Sequence, residues 1–165
     1  SQAHGHAEGR EIPFSKNTSK TRPLLISSGK GGVGKSSVTT NLAVALASQG
    51  YKVGVVDADI YGYSIPRMLG TDRDPVVIDE MLVPPAMWGV RCISIGYFVP
   101  QGQAVIWRGP MIHKLLTQFL EDVRWGDLDY LLIDINEFIE IGATGHHLSR
   151  RFDHAHQSQR SRCFA

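Results

Sequence analysis

The sequence has few cysteines, almost no excess charge and no long apolar run. Its two cysteines, Cys92 and Cys163, are far apart and form no CxxC pair, so neither a disulfide framework nor a self-contained metal site is indicated. Seventeen basic and sixteen acidic side chains give a net charge of +1, which provides no broad field for nucleic acid or an anionic membrane. No apolar run approaches the roughly 20 residues that cross a bilayer. We therefore expect a cytoplasmic protein with no nucleic-acid or membrane partner.

The apolar residues, 42% of the 165, are unevenly distributed along the chain. Residues 1–22 contain only two large apolar side chains and are predicted to be a flexible leader or linker. Residues 23–141 carry the apolar runs of one domain. Residues 142–165 contain a single large aliphatic side chain, Leu148, and are predicted to be a disordered tail.

The first part of the predicted domain follows the order strand, glycine-rich turn, helix, strand. Residues 24–26 are a short apolar run, and apolar residues then recur at helical spacing from Val38 to Leu46, with Gly50 expected just past the helix end. Residues 53–56 are a second apolar run. This length and order predict a βαβ unit with parallel, doubly buried strands, and hence an α/β fold.

The rest of the domain adds further strands and one amphipathic helix. Short apolar runs between residues 66 and 103 predict a small hairpin and one more strand. After Pro110, apolar residues recur every three or four positions up to Val123, which predicts a helix packed on the sheet. Residues 129–135 are predicted to be a buried strand that carries the carboxylate of Asp134 near its end.

A phosphate-binding motif, G-x-x-x-x-G-K-[ST], lies between the first strand and the first helix. Glycines allow the backbone to curl so that its N–H groups face a phosphate, and the following helix start favours negative charge. A lysine then reaches the β- and γ-phosphates, and a serine hydroxyl binds Mg²⁺. The motif predicts a Mg-ATP site in a three-layer P-loop fold, represented here by the first part of its mostly parallel sheet. Its predicted ligands are Gly29, Lys30, Gly31, Gly32, Val33, Gly34, Lys35, Ser36 and Ser37.

Three carboxylates follow apolar strands and should lie beside this loop. Asp57 and Asp59 come at the end of the second strand, and Asp134 at the end of the last one. Ligands of α/β folds bind at the carboxyl ends of the strands. One such carboxylate can position an attacking water while another holds Mg²⁺ or its waters. Ser36 and Asp134 are therefore predicted metal-site residues, although Asp57 or Asp59 could simply cap a turn.

The motif contains a further lysine, Lys30, before Lys35. With this lysine the loop resembles the deviant Walker A class, with its KGGxGK core. The resemblance implies that Lys30 reaches a nucleotide across a homodimer interface, that Asp59 acts with Lys30 and Lys35 in hydrolysis, and that Asp57 belongs to the Mg²⁺ shell. Further motifs resemble the Mrp/ApbC family of ATP-binding iron–sulfur cluster carriers. They are found at residues 57–62, 64–70, 107–111 and 125–130, and the resemblance covers about residues 12–134.

This second resemblance implies a homodimer that slowly hydrolyses ATP and passes a [4Fe-4S] cluster to apo iron–sulfur proteins. The sequence departs from the family after Asp134, where Ile135, Asn136 and the next residues replace a Pro-Pro-Gly-Thr-Gly-Asp switch. The family's CxxC cluster ligands are also absent, and Cys92 is predicted to be a buried, inert thiol. The composition of the tail suggests a truncation or frameshift just after Asp134.

These departures leave two other functional interpretations open. The chain could be a nucleotide-binding remnant without turnover, because the residues that would sense the γ-phosphate are missing. It could also be a partition-type ATPase switch, although the low net charge and the lack of a basic amphipathic helix argue against docking on DNA or a membrane.

Overall fold

The computed structural model describes residues 19–28, 30, 32–60, 62–99 and 109–135. Most of the predicted leader and all of the predicted tail lie outside these residues. So do Gly29 and Gly31 of the phosphate motif, and Asn136 with the residues that follow it.

A five-stranded sheet forms the centre of the described structure. Its order is β1-β7-β2-β6-β5, and the first four strands in this order are parallel, while β5 pairs antiparallel with β6. A separate antiparallel hairpin consists of β3 and β4. In chain order the strands are β1 (Arg22–Ile26), β2 (Val53–Ala58), β3 (Val76–Ile78), β4 (Met81–Val83), β5 (Ala86–Met87), β6 (Val90–Ser94) and β7 (Tyr130–Ile135).

Three α-helices and one 3-10 helix accompany the sheet in the described residues. They are α1 (Lys35–Ser48), α2 (Ile65–Leu69), the 3-10 helix (Ile95–Phe98) and α3 (Gly109–Glu121). Helix α1 ends where predicted: Gly50 adopts a positive φ of 91°, and its N–H donates to the carbonyl of Ala47 over 3.0 Å. The N–H of Tyr51 donates to the carbonyl of Leu46, which completes a glycine-terminated helix end.

The sheet is covered on both faces, which gives the predicted three layers. One apolar cluster joins Ala43 of α1 and Leu69 of α2 to Val55 and Leu132 of the sheet. The other joins Phe119 of α3 to a second set of sheet residues, namely Val56, Ile93, Ile133 and their neighbours. Every residue of β2 is buried, as expected for a central parallel strand with helices on both faces.

The structure confirms the α/β fold class and each predicted strand and long helix. Helix α2 and the 3-10 helix were not predicted, because four or five residues are too few to display a helical period. No helix within the described ranges is long and apolar enough to cross a membrane.

Candidate functional site

Polar residues of three neighbouring strands form one row near the carboxyl edge of the sheet. In the register of the parallel strands, Asp57 of β2 lies between Asp134 of β7 and Ser94 of β6. All three residues are fully buried. Because these are the same edge positions of adjacent strands, the row follows directly from the parallel register.

The turn before α1 brings the motif residues to this edge. Gly32 and Gly34 have φ values of 74° and 87°, a region that L-residues with a side chain rarely adopt. The N-cap is Gly34, and no side chain caps the helix start. The first N–H groups of α1 are therefore left for an external anion, and the helix dipole favours negative charge there.

Lys35 and Ser36, the first two residues of α1, both contact Asp134. The Lys35 ammonium group donates to Oδ1 of Asp134, and the Ser36 hydroxyl donates to Oδ2 over 2.8 Å. Lys35 Nζ also lies 3.4 Å from Oδ2 of Asp59. The side chain of Lys35 is only 7% exposed, and that of Asp59 15%. The phosphate-binding lysine is thus held between two carboxylates that come from separate strand ends.

Asp57 lies in the interior of this group and is held by protein donors. Its Oδ2 accepts from the Ser94 hydroxyl over 3.2 Å, and its Oδ1 accepts from the backbone N–H of Asp59 over 3.4 Å. Burial, helped by the negative charge of Asp134, raises the pKa of Asp57 to about 7. The carboxyl group is therefore poised to gain or lose a proton near neutral pH, and its orientation is fixed from two sides.

A cavity of about 470 Å³ opens beside these side chains. It has room for the phosphates of a nucleotide, and Lys35 and four serines line it. Its lining residues are Ser28, Gly32, Gly34, Lys35, Ser36, Ser37, Asp59, Gly62, Ser64 and Met68.

The structure brings together most of the residues that the sequence predicted for the site. Lys35, Ser36, Asp59 and Asp134 are in contact, and three more predicted ligands, Gly32, Gly34 and Ser37, line the cavity. Two predicted residues, Lys30 and Val33, are exposed, Val33 to 57%, and neither is among the residues that line the cavity. Gly29 and Gly31 lie outside the described residues.

Several residues of the site were not predicted from the sequence. Gly62, Ser64 and Met68 line the cavity from the segment that follows β2, and Ser28 lines it from the end of β1. Ser94 could have been predicted, because it is a polar residue at the end of a buried strand. Asp57 and Asp134 occupy the next-to-last positions of their own strands. Gly62, Ser64 and Met68 lie within the motifs at residues 57–62 and 64–70 but were given no role in the site, and Ser28 carried no local signal.

Among the described residues, no group of three or more His, Cys, Asp or Glu side chains could hold a metal ion. This fits Mg²⁺, which usually binds through one or two carboxylates together with phosphate oxygens and water. Ser36, which lines the cavity, and the buried Asp134 behind it offer adjacent oxygen atoms. The donor set present is therefore suited to Mg²⁺ that arrives with a nucleotide.

Cys92 lies away from the cavity, in the middle of β6. It is fully buried, and desolvation raises the pKa of its thiol. Burial therefore favours the inert thiol form that the sequence predicted.

Comparison with known proteins places this site in a family. Residues 20–136 match the model of the ParA family described as "NUBPL iron-transfer P-loop NTPase". The chain belongs to this family. It is also 53% identical, over 131 residues, to the iron–sulfur cluster carrier protein of Mycobacterium leprae, and 49% identical, over 112 residues, to that of Bacillus subtilis. These alignments cover 79% and 68% of this chain, but only 34% and 32% of the two relatives.

A solved structure shares the same fold. The nucleotide-binding protein of Archaeoglobus fulgidus, in complex with ADP, superimposes with a TM-score of 0.58 and is 42% identical in sequence. The match covers 69% of this chain and 44% of that one. The resemblance to the Mrp/ApbC carriers is thereby confirmed at the level of family and fold. The chain spans about a third of the length of its curated relatives.

Proposed function

We propose that this chain binds Mg-ATP and Mg-ADP in the cavity beside Lys35, as the nucleotide-binding part of an iron–sulfur cluster carrier of the Mrp type. The observation that carries the proposal is the convergence of Lys35 and Ser36 on Asp134, next to a glycine turn with an uncapped helix start. Two relatives named as iron–sulfur cluster carriers and a related structure that contains ADP support it.

The roles follow from the chemistry of the side chains. Lys35 neutralises the charge of the β- and γ-phosphates once it exchanges its carboxylate partners for phosphate oxygens. The N–H groups of the turn and of Ser36 and Ser37 bind further phosphate oxygens. Ser36 and Asp134 hold Mg²⁺ directly or through its waters, and Asp57 adds negative charge behind them. Bound Mg²⁺ would supply charge neutralisation at the phosphates.

Asp59 is the residue that we propose for hydrolysis. Its carboxylate is slightly exposed, lines the cavity and lies 3.4 Å from Lys35 Nζ. A carboxylate in this position can orient a water molecule for attack on the phosphorus atom. Lys30 would complete the site from a second copy of the chain, because its exposure allows it to reach outward.

Cluster transfer is the proposed purpose of the nucleotide site, with the cluster as cargo and apo iron–sulfur proteins as recipients. Cys92 is unsuited to bind the cluster, because it is buried in a strand away from the cavity. We therefore propose that the described residues act as a nucleotide-dependent switch and take no part in cluster ligation.

Thermal unfolding with and without Mg-ADP tests the proposal. At a ligand concentration of 100 times the Kd, binding should stabilise the folded chain by about 2.7 kcal/mol. Lys35→Ala should abolish this stabilisation, while Lys114→Ala, which removes an exposed lysine from α3, should retain it. Equal shifts in the wild type and in Lys35→Ala would reject the site.

A second candidate function is nucleotide binding without turnover. It is favoured by the sequence after Asp134, where the switch residues of the family are replaced. Release of inorganic phosphate from Mg-ATP distinguishes the two candidates. Hydrolysis that is lost in Asp59→Asn would support the ATPase, whereas binding of Mg-ATP without phosphate release would support the second candidate.

A further inference from the structure

We infer that Ser94 is a positioning residue of the nucleotide site, which acts through the carboxylate of Asp57. The inference rests on the proposed function and deepens it. Ser94 belongs to none of the motifs that predicted the site, and it does not line the cavity. Its proposed role depends on the hydrogen bonds that its hydroxyl group makes with Asp57 and Gly96.

The Ser94 hydroxyl makes two hydrogen bonds with different partners. It donates to Oδ2 of Asp57 over 3.2 Å, and it accepts from the backbone N–H of Gly96 over 3.0 Å. A hydroxyl group has one proton to donate, and the N–H of Gly96 occupies an acceptor position, so that proton is directed at Asp57. Ser94 is fully buried, and no water is needed to satisfy it.

Asp57 transmits this constraint to the cavity. Its Oδ1 accepts from the N–H of Asp59, the residue whose carboxylate contacts Lys35. Asp57 also pairs in register with Asp134, which holds Lys35 and Ser36. A rotation of the Asp57 carboxylate would therefore break its hydrogen bond from Asp59 and change the electrostatic environment of Asp134.

The Gly96 contact ties the same serine to the segment that follows β2. A Cβ atom at Gly96 would lie 2.6 Å from Cβ of Tyr63, so the 3-10 helix and this loop are in direct contact. Tyr63 is flanked by Gly62 and Ser64, and both of these line the cavity. Ser94 thus links the end of β2 to the wall of the site.

Loss of the hydroxyl would remove one of the hydrogen bonds that hold the buried Asp57 carboxylate in place. A buried carboxylate that loses a donor is held less firmly and can turn toward other donors. Such a turn moves negative charge from its place behind Asp134. The affinity for ADP alone depends on the glycine turn and Lys35 and should be preserved, whereas the gain in affinity from Mg²⁺ should fall.

The test compares the Kd of ADP in EDTA and in Mg²⁺, by calorimetry on the full 165-residue chain. Ser94→Ala should change the Kd in EDTA less than twofold and should reduce the Mg²⁺ gain about tenfold, as expected for a lost hydrogen bond to a charged group. Tyr97→Phe is the matched control. Tyr97 lies on the same 3-10 helix as Gly96, and the variant removes the hydrogen bond from its hydroxyl to the carbonyl of Thr71. The hydrogen bonds that Asp57 accepts from Ser94 and Asp59 do not involve Tyr97.

A double variant separates positioning from general loosening. If Ser94 acts through Asp57, then adding Ser94→Ala to Asp57→Asn should cause no further loss of the Mg²⁺ gain. The inference is overturned if Ser94→Ala keeps the wild-type gain, if Tyr97→Phe loses as much, or if the two losses add. Wild-type protein that binds ADP without any Mg²⁺ gain would overturn it as well.

Binding by the wild type tests the proposed function separately from the role of Ser94. Absence of ADP binding in both conditions would reject the nucleotide site itself, and the role of Ser94 with it. Binding with a Mg²⁺ gain that Ser94→Ala leaves intact would reject only the role of Ser94.

Discussion

The ammonium group of Lys35, in the first turn of α1, donates to the carboxylate of Asp134 near the end of β7. Asp134 is fully buried and the Lys35 side chain is 7% exposed. This ion pair fastens the phosphate-binding turn to the central sheet. It also places the two charges that a nucleotide and Mg²⁺ would use in direct contact with each other.

Asp134→Ala should therefore destabilise the nucleotide-free protein strongly. The variant leaves Lys35 with only its 3.4 Å contact to Asp59, and breaking a buried ion pair costs about 3 kcal/mol. Urea unfolding measures the change in the free energy of unfolding. Asp127→Ala is the control, because Asp127 lies 2.9 Å from Lys20 but both side chains are more than half exposed, so the loss should stay below about 1 kcal/mol. Equal losses would contradict the structural role of Asp134.

Asp57 should make stability depend on pH. Burial, with the charge of Asp134, raises its pKa from 3.8 to about 7. Between those two values the folded state binds more protons than the unfolded state. The contribution of Asp57 to the free energy of unfolding is therefore complete at pH values below its unfolded pKa. It is lost as the pH rises through the folded pKa, with a limiting slope of about 1.4 kcal/mol per pH unit.

Asp57→Asn removes this titrating group and should remove its share of the pH dependence. Urea unfolding of the nucleotide-free protein, in steps from about pH 5 to pH 8, would show the wild type losing stability relative to the variant. Parallel pH profiles for the two proteins would show that Asp57 titrates at its ordinary value.

The parts of the site that the sequence predicted are those encoded locally. The glycine turn, Lys35 and Ser36 are adjacent in the chain, and Asp57 and Asp134 follow apolar runs that mark buried strands. Parallel strands must end at one edge of a sheet, so these residues had to meet. The Asp57–Ser94 hydrogen bond depends on which strand lies beside β2, and that order is fixed by long-range pairing.

Helix α1 shows a second limit of sequence patterns. Val38 and Leu42 contributed to the apolar spacing that predicted the helix, yet they are 60% and 38% exposed. The buried residues are Thr39, Thr40 and Ala43. The glycine turn fixes where α1 begins, and the need to direct Lys35 and Ser36 toward Asp134 sets which face meets the sheet. Site geometry therefore outweighs hydrophobic pattern in this helix.

Gly54 is a position where the central strand tolerates no side chain. A Cβ atom there would lie 2.8 Å from Cδ1 of Leu128 and 2.8 Å from two atoms of the Trp125 ring, both of which are buried. Gly54→Ala should therefore lower the free energy of unfolding by about 2 kcal/mol, the usual cost of overpacking a core. Thermal or urea unfolding measures it. Gly62→Ala, with open space around its Cβ position, should change stability by less than about 0.5 kcal/mol.

Lys30 and Lys35 belong to one motif but differ in environment, and this difference predicts separate effects. Lys35 is buried between carboxylates, whereas Lys30 is exposed. If Lys30 acts on a nucleotide held by a second copy, Lys30→Ala should leave the Kd of Mg-ADP within about twofold. The same change should prevent the dimer that ATP would hold together.

Light scattering with Mg-ATP measures the dimer, in an Asp59→Asn background that keeps ATP intact. Addition of Mg-ATP should double the mass of this protein but not that of the variant that also carries Lys30→Ala. Arg67→Ala is a control for loss of an exposed positive charge and should still dimerise. A residue that acts only across an interface cannot affect binding by the monomer. Two outcomes would therefore show that Lys30 serves its own subunit: dimers that persist without Lys30, or a Kd that rises as steeply as in Lys35→Ala.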